Sequence, residues 1–217
     1  WVVWGNRGEA ISLADGETLV LDPLWIGAGA DAFSLHVDYA AAAAARAGAP
    51  TTTEPPPVGW ATWYQFYEAV TEQDVRDNLD LAASLEGDLS PIEVFQIDDG
   101  WQVLWGDWTA DDGFPSGMDV LASDIAGAGF VPGLCMAPFY VHRDTETYQN
   151  HPDWWVRDLD GVEIVFTNLG SGDYAIIDAT HPDAGPWMAQ QVADRVDEGW
   201  TYLKLDFLYA GAQEGLR

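Results

Sequence analysis

Thr201-Tyr202-Leu203-Lys204-Leu205-Asp206-Phe207-Leu208 is the stretch that decides the fold. Its side chains alternate strictly, which is the pattern of a β-strand. Period-2 geometry sets Leu203, Leu205 and Phe207 on one face and Tyr202, Lys204 and Asp206 on the other. So apolar a strand predicts cover on both sides. Charges inside a protein need partners, and Lys204 and Asp206 lie about 7 Å apart along one face, each the other's counter-ion. An anion fixed beside a cation at a strand end is what covalent catalysis by carboxylate requires. The plain alternative is an internal ion pair. One count favours chemistry: the chain has seven Arg and a single Lys, and that lysine is Lys204.

Upstream, the pattern alternates between strand and helix. Trp60–Phe66 reads as an aromatic strand. Thr71-Glu72-Gln73-Asp74 matches a capping box, with Val75, Leu79 and Ala82 following at helical spacing as far as Gly87. Ile92–Ile97 is the next strand, closing on Asp98-Asp99-Gly100-Trp101. A helix presenting Met118, Leu121 and Ile125 stops at Gly129, and a third strand lies near Val131–Ala137. The stretch from Tyr140 to Asp178 is an excursion with a hairpin around Leu159-Asp160-Gly161. Thr180 then caps a helix through Trp187, Gln191 and Val196, which leads into the opening strand.

Four near-continuous apolar strands separated by helices predict a parallel sheet with helices outside. At about 40 residues per unit, eight units need ~320 residues, within the range of a (β/α)₈ barrel. Residues 58–217 therefore read as the first four β/α units of a (β/α)₈ TIM barrel, an incomplete one, in an α/β protein. A doubly wound sheet is the competing fold, but no Gly-x-Gly-x-x-Gly follows any strand. Residues 51–57, Thr-Thr-Thr-Glu-Pro-Pro-Pro, read as a stiff linker. Residues 1–50 before it read as the end of a β domain plus a linking helix. That segment has a hairpin signal at Asp15-Gly16 between Ala10–Leu13 and Thr18–Leu21, then a helix capped by Asp31 and ended by Gly48. The chain begins at Trp1 rather than Met and stops just after a strand, which reads as a piece of a longer protein.

Net charge is −28, with 25 Asp against 11 Glu. Such a surface repels phosphate backbones, which excludes nucleic acid as a partner. A hydrophobic share of 48% and an aromatic share of 13% exclude a disordered acidic tail. Surface Asp, scarce Lys and an intact core together resemble proteins of salt-loving organisms, where molar salt shortens the screening length to ~3 Å. No apolar run approaches the ~18 residues of a membrane span. The single cysteine, Cys135, leaves no internal disulfide and no Cys-based metal site. It reads as a small strand residue. A homo-oligomer is compatible with the sequence.

In such a barrel the working residues project from the C-terminal ends of strands. Read in order, these ends are Trp63/Tyr64, Asp98/Asp99/Trp101, Pro138/Phe139 and Lys204/Asp206. Aromatic rings stack on the C–H faces of sugars and carboxylates accept hydrogen bonds from sugar hydroxyls. Twelve Trp, with Trp101, Trp105 and Trp108 crowded into one loop, suit a carbohydrate pocket. Loop packing is the plainer reading of any one of them. A metal site at Asp98-Asp99 with Asp107, Asp111 and Asp112 fails as a calcium loop: Gly113 comes one position late and Met118 stands where a bidentate Glu belongs. The four His lack zinc spacing, and no Gly-x-Ser-x-Gly is present. No cofactor is implied.

Gly59-Trp60-Ala61-Thr62-Trp63-Tyr64, Phe95-Gln96-Ile97-Asp98-Asp99-Gly100-Trp101, Gly106-Asp107-Trp108 and Pro132-Gly133-Leu134-Cys135-Met136-Ala137-Pro138-Phe139 resemble successive blocks of one family. His151-Pro152-Asp153-Trp154, Asp178-Ala179-Thr180-His181-Pro182 and Tyr202-Leu203-Lys204-Leu205-Asp206-Phe207 continue them in order. That family is the α-galactosidases of glycoside hydrolase family 36, whose catalytic (β/α)₈ barrel follows a β-sandwich domain. The resemblance implies that residues 1–50 are the C-terminal remnant of that sandwich. It implies a retaining hydrolase acting on terminal α-galactosides, with Asp206 as the nucleophile that forms a covalent glycosyl-enzyme. Lys204 would bind sugar hydroxyls, Asp98 and Asp99 would grip the 4- and 6-hydroxyls of galactose, and Trp63 would line the same pocket; Tyr64 and Trp101 join them as substrate-binding candidates from their place at the strand ends. The family has Trp where this chain has Cys135, which alters the galactose subsite. It also carries its general acid/base on an Asp of a later strand. The residues alone leave Asp99 open as the second carboxyl group, which a retaining mechanism needs about 5–5.5 Å from the first. Two other readings stay open beside hydrolysis: a transglycosidase building raffinose-type oligosaccharides (or another α-glycosidase), and a non-catalytic carbohydrate-binding relative.

Overall fold

The computed structural model describes residues 13–20, 23–49, 55–85, 92–168 and 172–216. It divides into two units, Trp1–Pro56 and Pro57–Arg217.

In the first unit a turn forms at Asp15-Gly16, with Gly16 at φ +87° and the Glu17 N–H donating to the Ala14 carbonyl (3.0 Å). No strand flanks it among the described residues; Ala10–Ser12 and Leu21 of the expected hairpin lie outside them. The Glu17 carboxylate accepts the Ala14 N–H (2.8 Å), so the turn closes on itself instead of opening into a ladder. Helix α1 (Ala32–Ala47) begins at Asp31, which accepts from the backbone of Phe33 and Ser34, and ends on left-handed Gly48. None of its residues is buried. Its alanine run has the highest intrinsic helix propensity, which with both caps sustains it without a core.

The second unit is built on four parallel strands in sequential order: β1 (Gly59–Ala61), β2 (Val94–Ile97), β3 (Val131–Met136) and, after a long crossover, β7 (Tyr202–Leu205). Sequential order with helical crossovers is the opening arc of a (β/α)₈ barrel. Helix α2 (Trp63–Phe66) and a 3₁₀ turn (Tyr67–Ala69) follow β1 directly. The expected strand through Phe66 therefore stops at Ala61. The reason is Thr62: fully buried, it receives the Asp98 N–H on its hydroxyl (2.9 Å), and its carbonyl accepts the N–H groups of Gln65 and Phe66. Those two backbone bonds turn the chain into a helix.

Helix α3 (Glu72–Ser84) carries the capping box in full, Thr71 and Asp74 each bonding the other's backbone N–H, a device worth about 1 kcal/mol. The expected stop at Gly87 lies outside the described residues. Helix α4 (Met118–Gly127) turns Met118, Leu121, Ala122 and Ile125 inward, and Gly129 at φ +94° lets the chain leave it. These residues close over Phe95, Ile97, Leu134 and Met136 of the sheet, joined by Val75 and Leu79 of α3.

Between β3 and β7 the excursion is richer than one hairpin. It holds β4 (Tyr140–His142), α5 (Glu146–Asn150), β5 (Val165–Asn168) and β6 (Gly172–Ile176), with β4-β6-β5 forming an antiparallel sheet. The turn at Asp158–Val162 is present where the sequence placed it. Helix α6 (Ala184–Asp197) starts later than Thr180. Thr180 directs both its N–H and its hydroxyl to the Asp178 carboxylate (2.9 and 2.6 Å), closing a turn that delays the helix.

Strand β7 corrects one expectation. It is half-buried, not enclosed, with Leu205 38% exposed, because it is the outermost strand of the described sheet. Among the described residues no helix is long and apolar enough to cross a membrane. The acidic surface carries its own prediction. The thermal midpoint of the product of the full reading frame rises as salt goes from about 0.1 M to about 1 M, since added ions screen carboxylate repulsion. A midpoint indifferent to salt contradicts this.

Candidate active site

A cleft of about 310 Å³ opens at the C-terminal ends of the four parallel strands. Its floor follows from register. Cys135 of β3 pairs with Lys204 of β7, and Ile97 of β2 pairs with Leu134, so Asp98, Cys135 and Lys204 form one row across three strands. Two strand spacings, about 9.6 Å, separate its ends. The short Cys135 side chain in the middle leaves the Lys204 stem room to cross. Lys204 Nζ donates to both oxygens of Asp98 (2.9 and 3.1 Å) and lies 3.3 Å from Asp206 Oδ2. The ammonium thus bridges two carboxylates. The sequence paired it with Asp206 alone; the closer partner is Asp98, because a cross-sheet neighbour outreaches one two residues along a twisted strand.

Asp98 is 3% exposed and fully occupied. Besides Lys204 it accepts from Gln96 Nε2 (2.6 Å) and from the Asp99 N–H (3.0 Å), which fills the four acceptor sites of a carboxylate. Asp99 differs. Its Oδ1 takes Trp105 Nε1 (2.7 Å) and Gln102 Nε2 (2.5 Å), while its Oδ2 has no hydrogen bond among the described residues. Asp206 presents Oδ1 to the Phe207 N–H (2.7 Å) and Oδ2 to Lys204, and its own N–H is fixed by the Met136 carbonyl (2.8 Å).

Partial burial alone disfavours a charged Lys204, but the hydrogen bond to Asp98 and the flanking negative charges outweigh it and raise the ammonium's pKa above its ordinary value. Burial, with Asp98 alongside, pushes the Cys135 thiol well up, so it stays protonated. The cleft therefore sets one permanent cation among four carboxylates: Asp98, Asp99, Asp206 and Glu68. An anionic ligand is repelled. A neutral molecule rich in hydroxyl donors is favoured.

Of the residues singled out in the sequence, Trp63, Asp98, Asp99, Lys204 and Asp206 all line this cleft. Two do not. Tyr64 is 87% exposed, because the helical turn at Trp63 swings the next side chain about 100° toward solvent. Trp101 is fully buried; it stacks on Trp108 (6.1 Å) and donates Nε1 to the Cys135 carbonyl (3.1 Å), bracing the loop from below. Trp105 and Trp108 of that loop reach the cleft instead.

Glu68 and Phe207 are lining residues that sequence reading missed. Phe207 follows Asp206 in a left-handed conformation, φ +54°. Its ring sits among Trp105, Tyr140, Phe166 and Tyr209 at 5.3 to 6.1 Å, so the excursion sheet buttresses the turn carrying Asp206. Among the described residues, the non-glycine residues with positive φ are Tyr67, Trp108 and Phe207. Each lines the cleft or adjoins a lining residue, and such strain persists only where surrounding structure enforces it.

Residues 49–209 match the melibiase family model. α-Galactosidase 2 of Pediococcus pentosaceus is 30% identical over 111 residues, covering 48% of this chain and 15% of that protein. The α-galactosidase of Thermus thermophilus, solved with p-nitrophenyl α-D-galactopyranoside and also with stachyose, superposes with a TM-score of 0.69 at 39% identity. That alignment covers 76% of this chain and, in the first complex, 33% of the other. The family 36 α-galactosidase AgaA of Geobacillus stearothermophilus shares the fold at 24% identity, with a TM-score of 0.57, over 69% of this chain and 21% of that one. The chain thus spans about a third or less of the length of these relatives.

Proposed function

The chain belongs to the melibiase family, and from that membership we propose that it carries the galactose-binding half of a retaining α-galactosidase, with Asp206 as nucleophile. The observation that carries the reading is the chain of contacts Asp98–Lys204–Asp206 at the C-terminal strand ends, where a cation holds one carboxylate of the floor and steadies another facing the opening. Asp206 attacks the anomeric carbon as the glycosidic C–O bond breaks, passing through an oxocarbenium-like transition state to a glycosyl ester. Its Oδ1 is held by the Phe207 amide and its Oδ2 by Lys204, so the attacking group does not have to be ordered during the reaction. An Asp on a strand after β7 serves as general acid/base, as the resemblance implies.

The binding roles divide by hydrogen-bond capacity. Asp98, already saturated, organises Lys204 and the Asp99 turn. Asp99, with Oδ2 free of described partners, accepts from a sugar hydroxyl directly. Trp63, Trp105 and Trp108 supply ring faces and edges for the C–H surface of the sugar. The ligands in the Thermus thermophilus complexes, an aryl α-galactoside and stachyose, suit a cleft of this chemistry.

The test is proton NMR of the reaction catalysed by the product of the full reading frame. p-Nitrophenyl α-galactoside is expected to release galactose first as the α anomer, which then mutarotates. Release of β-galactose contradicts the retaining mechanism. Absence of turnover alongside galactose binding favours a carbohydrate-binding relative.

A further inference from the structure

We propose that Glu68 selects the leaving group, accepting hydrogen bonds from hydroxyls of the unit attached to the terminal sugar, so that sugar and polyol leaving groups are favoured over bare alkyl ones. The proposal rests on the α-galactosidase reading of the cleft and gives a task to a residue that reading leaves idle.

Three observations carry it. First, Glu68 lines the cleft but has no hydrogen bond or ion pair among the described residues, whereas the carboxylates of Asp98, Asp99 and Asp206 each have at least two. A free carboxylate on the wall of a binding cleft is an acceptor waiting for a donor. Second, its position suits the outgoing group. The floor residues Asp98, Met136 and Ala137 are buried, while Glu68 is exposed at the rim. Asp206 follows β7, at one edge of the four-stranded sheet, and Glu68 follows β1, at the other. In a displacement on a sugar the leaving group departs from the face opposite the nucleophile. With the sugar ring held between these two edges, its anomeric carbon toward Asp206, Glu68 is on the side to which that group is carried.

Third, the backbone is bent to put it there. Tyr67 adopts φ +51° and ψ −142°, a region that residues other than glycine avoid. Its N–H bonds the Trp63 carbonyl, and its ring packs edge-on against Trp63 at 5.3 Å. The reversal wedges the next residue against the Asp98-Asp99 turn. A Cβ at Gly100 would fall 2.7 Å from Glu68 Cα, so only glycine lets the two segments meet. Strain at Tyr67 and a bare Cα at Gly100 both serve to seat Glu68 beside the catalytic floor.

The experiment compares an α-galactosyl disaccharide with methyl α-galactoside. Both leave as alcohols of similar basicity, but only the sugar brings hydroxyls. In Glu68→Ala the ratio of kcat/KM on the disaccharide to that on the methyl galactoside falls about tenfold, the effect of losing hydrogen bonds to a charged acceptor. Glu68→Gln keeps the shape and an acceptor oxygen and gives a smaller fall of the same sign, which decides the matter if the alanine variant folds poorly. A ratio within twofold of wild type overturns the proposal. So does an equal loss on the disaccharide and the methyl galactoside with p-nitrophenyl α-galactoside spared, which assigns Glu68 to proton donation instead. If the wild-type protein cleaves no α-galactoside at all, it is the α-galactosidase reading that has failed.

Discussion

Asp206→Asn in the product of the full reading frame reduces turnover of p-nitrophenyl α-galactoside by about 10⁴-fold or more, while galactose still binds. The size follows from the role proposed: without an anionic oxygen at the anomeric carbon, no covalent intermediate forms. Retained binding follows from the geometry. An asparagine carbonyl can still accept the Phe207 N–H, and Lys204 keeps its two closer contacts to Asp98. The floor of the cleft therefore stays in place. Asp206→Ala goes further, because it leaves a space beside an ammonium that attracts a small anion. Azide occupying it forms a C–N bond to the anomeric carbon as the aryl C–O bond breaks, giving β-galactosyl azide. Measuring kcat by nitrophenolate release and Kd for galactose by calorimetry tests both halves. An Asn variant with more than a few per cent of wild-type kcat removes Asp206 from the nucleophile's role. A variant that loses galactose binding in parallel points to collapse of the floor.

Much of the fold was legible because its signals are local. The Thr71 capping box, the inward face of α4 and the glycine that ends it can each be read from a few neighbouring residues. Along the chain, the order of strands was legible as well, since alternating strand and helix allows few topologies. What the sequence concealed depends on distance. Nothing in Leu203-Lys204-Leu205 says that a lysine will reach across Cys135 to Asp98, 106 residues away; that requires knowing which strand lies between. Trp101 and Trp105 are indistinguishable by composition, yet one is sealed under the loop and the other holds Asp99 in the cleft. Trp63 and Tyr64 read together as the aromatic end of a strand. A buried threonine hydroxyl, meeting a backbone N–H from β2's end, broke that strand one residue before Trp63. The sheet β4-β6-β5 escapes sequence reading for a related reason: its strands are short, and the rings that hold it together, Tyr140 stacked on Phe166 at 4.7 Å and both against Phe207, come from segments far apart in the chain. The residues that were legible are those whose chemistry stands out at any position. Those that were not take their meaning from what they touch.

Lys204→Met separates the structural from the chemical work of the row, and its expected effect is large in both. Asp98 lies at the floor, with 5% of its side chain exposed, and loses the only cation that contacts it among the described residues. Gln96 and the Asp99 amide remain, but neither is charged. Leaving a buried carboxylate uncompensated costs several kcal/mol where burial is complete; with Lys204 itself 35% exposed, about 2–3 kcal/mol is expected. For a domain of this size that lowers the thermal midpoint by roughly 5–10 °C. Activity falls further, by about 10³-fold in kcat/KM, since Asp206 also loses its neighbour at 3.3 Å and the sugar loses a donor. Arginine does not restore it: the guanidinium is longer and planar, and the space above Cys135 admits a slender stem ending in a point charge. The double variant Asp98→Asn/Lys204→Met decides between the two kinds of loss. With both charges removed the floor is neutral, so most of the lost stability returns, as expected for a coupled pair. Turnover does not return, because the cation that steadies Asp206 is still missing. If the double variant regains activity along with its melting temperature, Lys204 is only a structural counter-ion; if it regains neither, Asp98 contributes to the cleft through its charge and not just through its hold on the lysine.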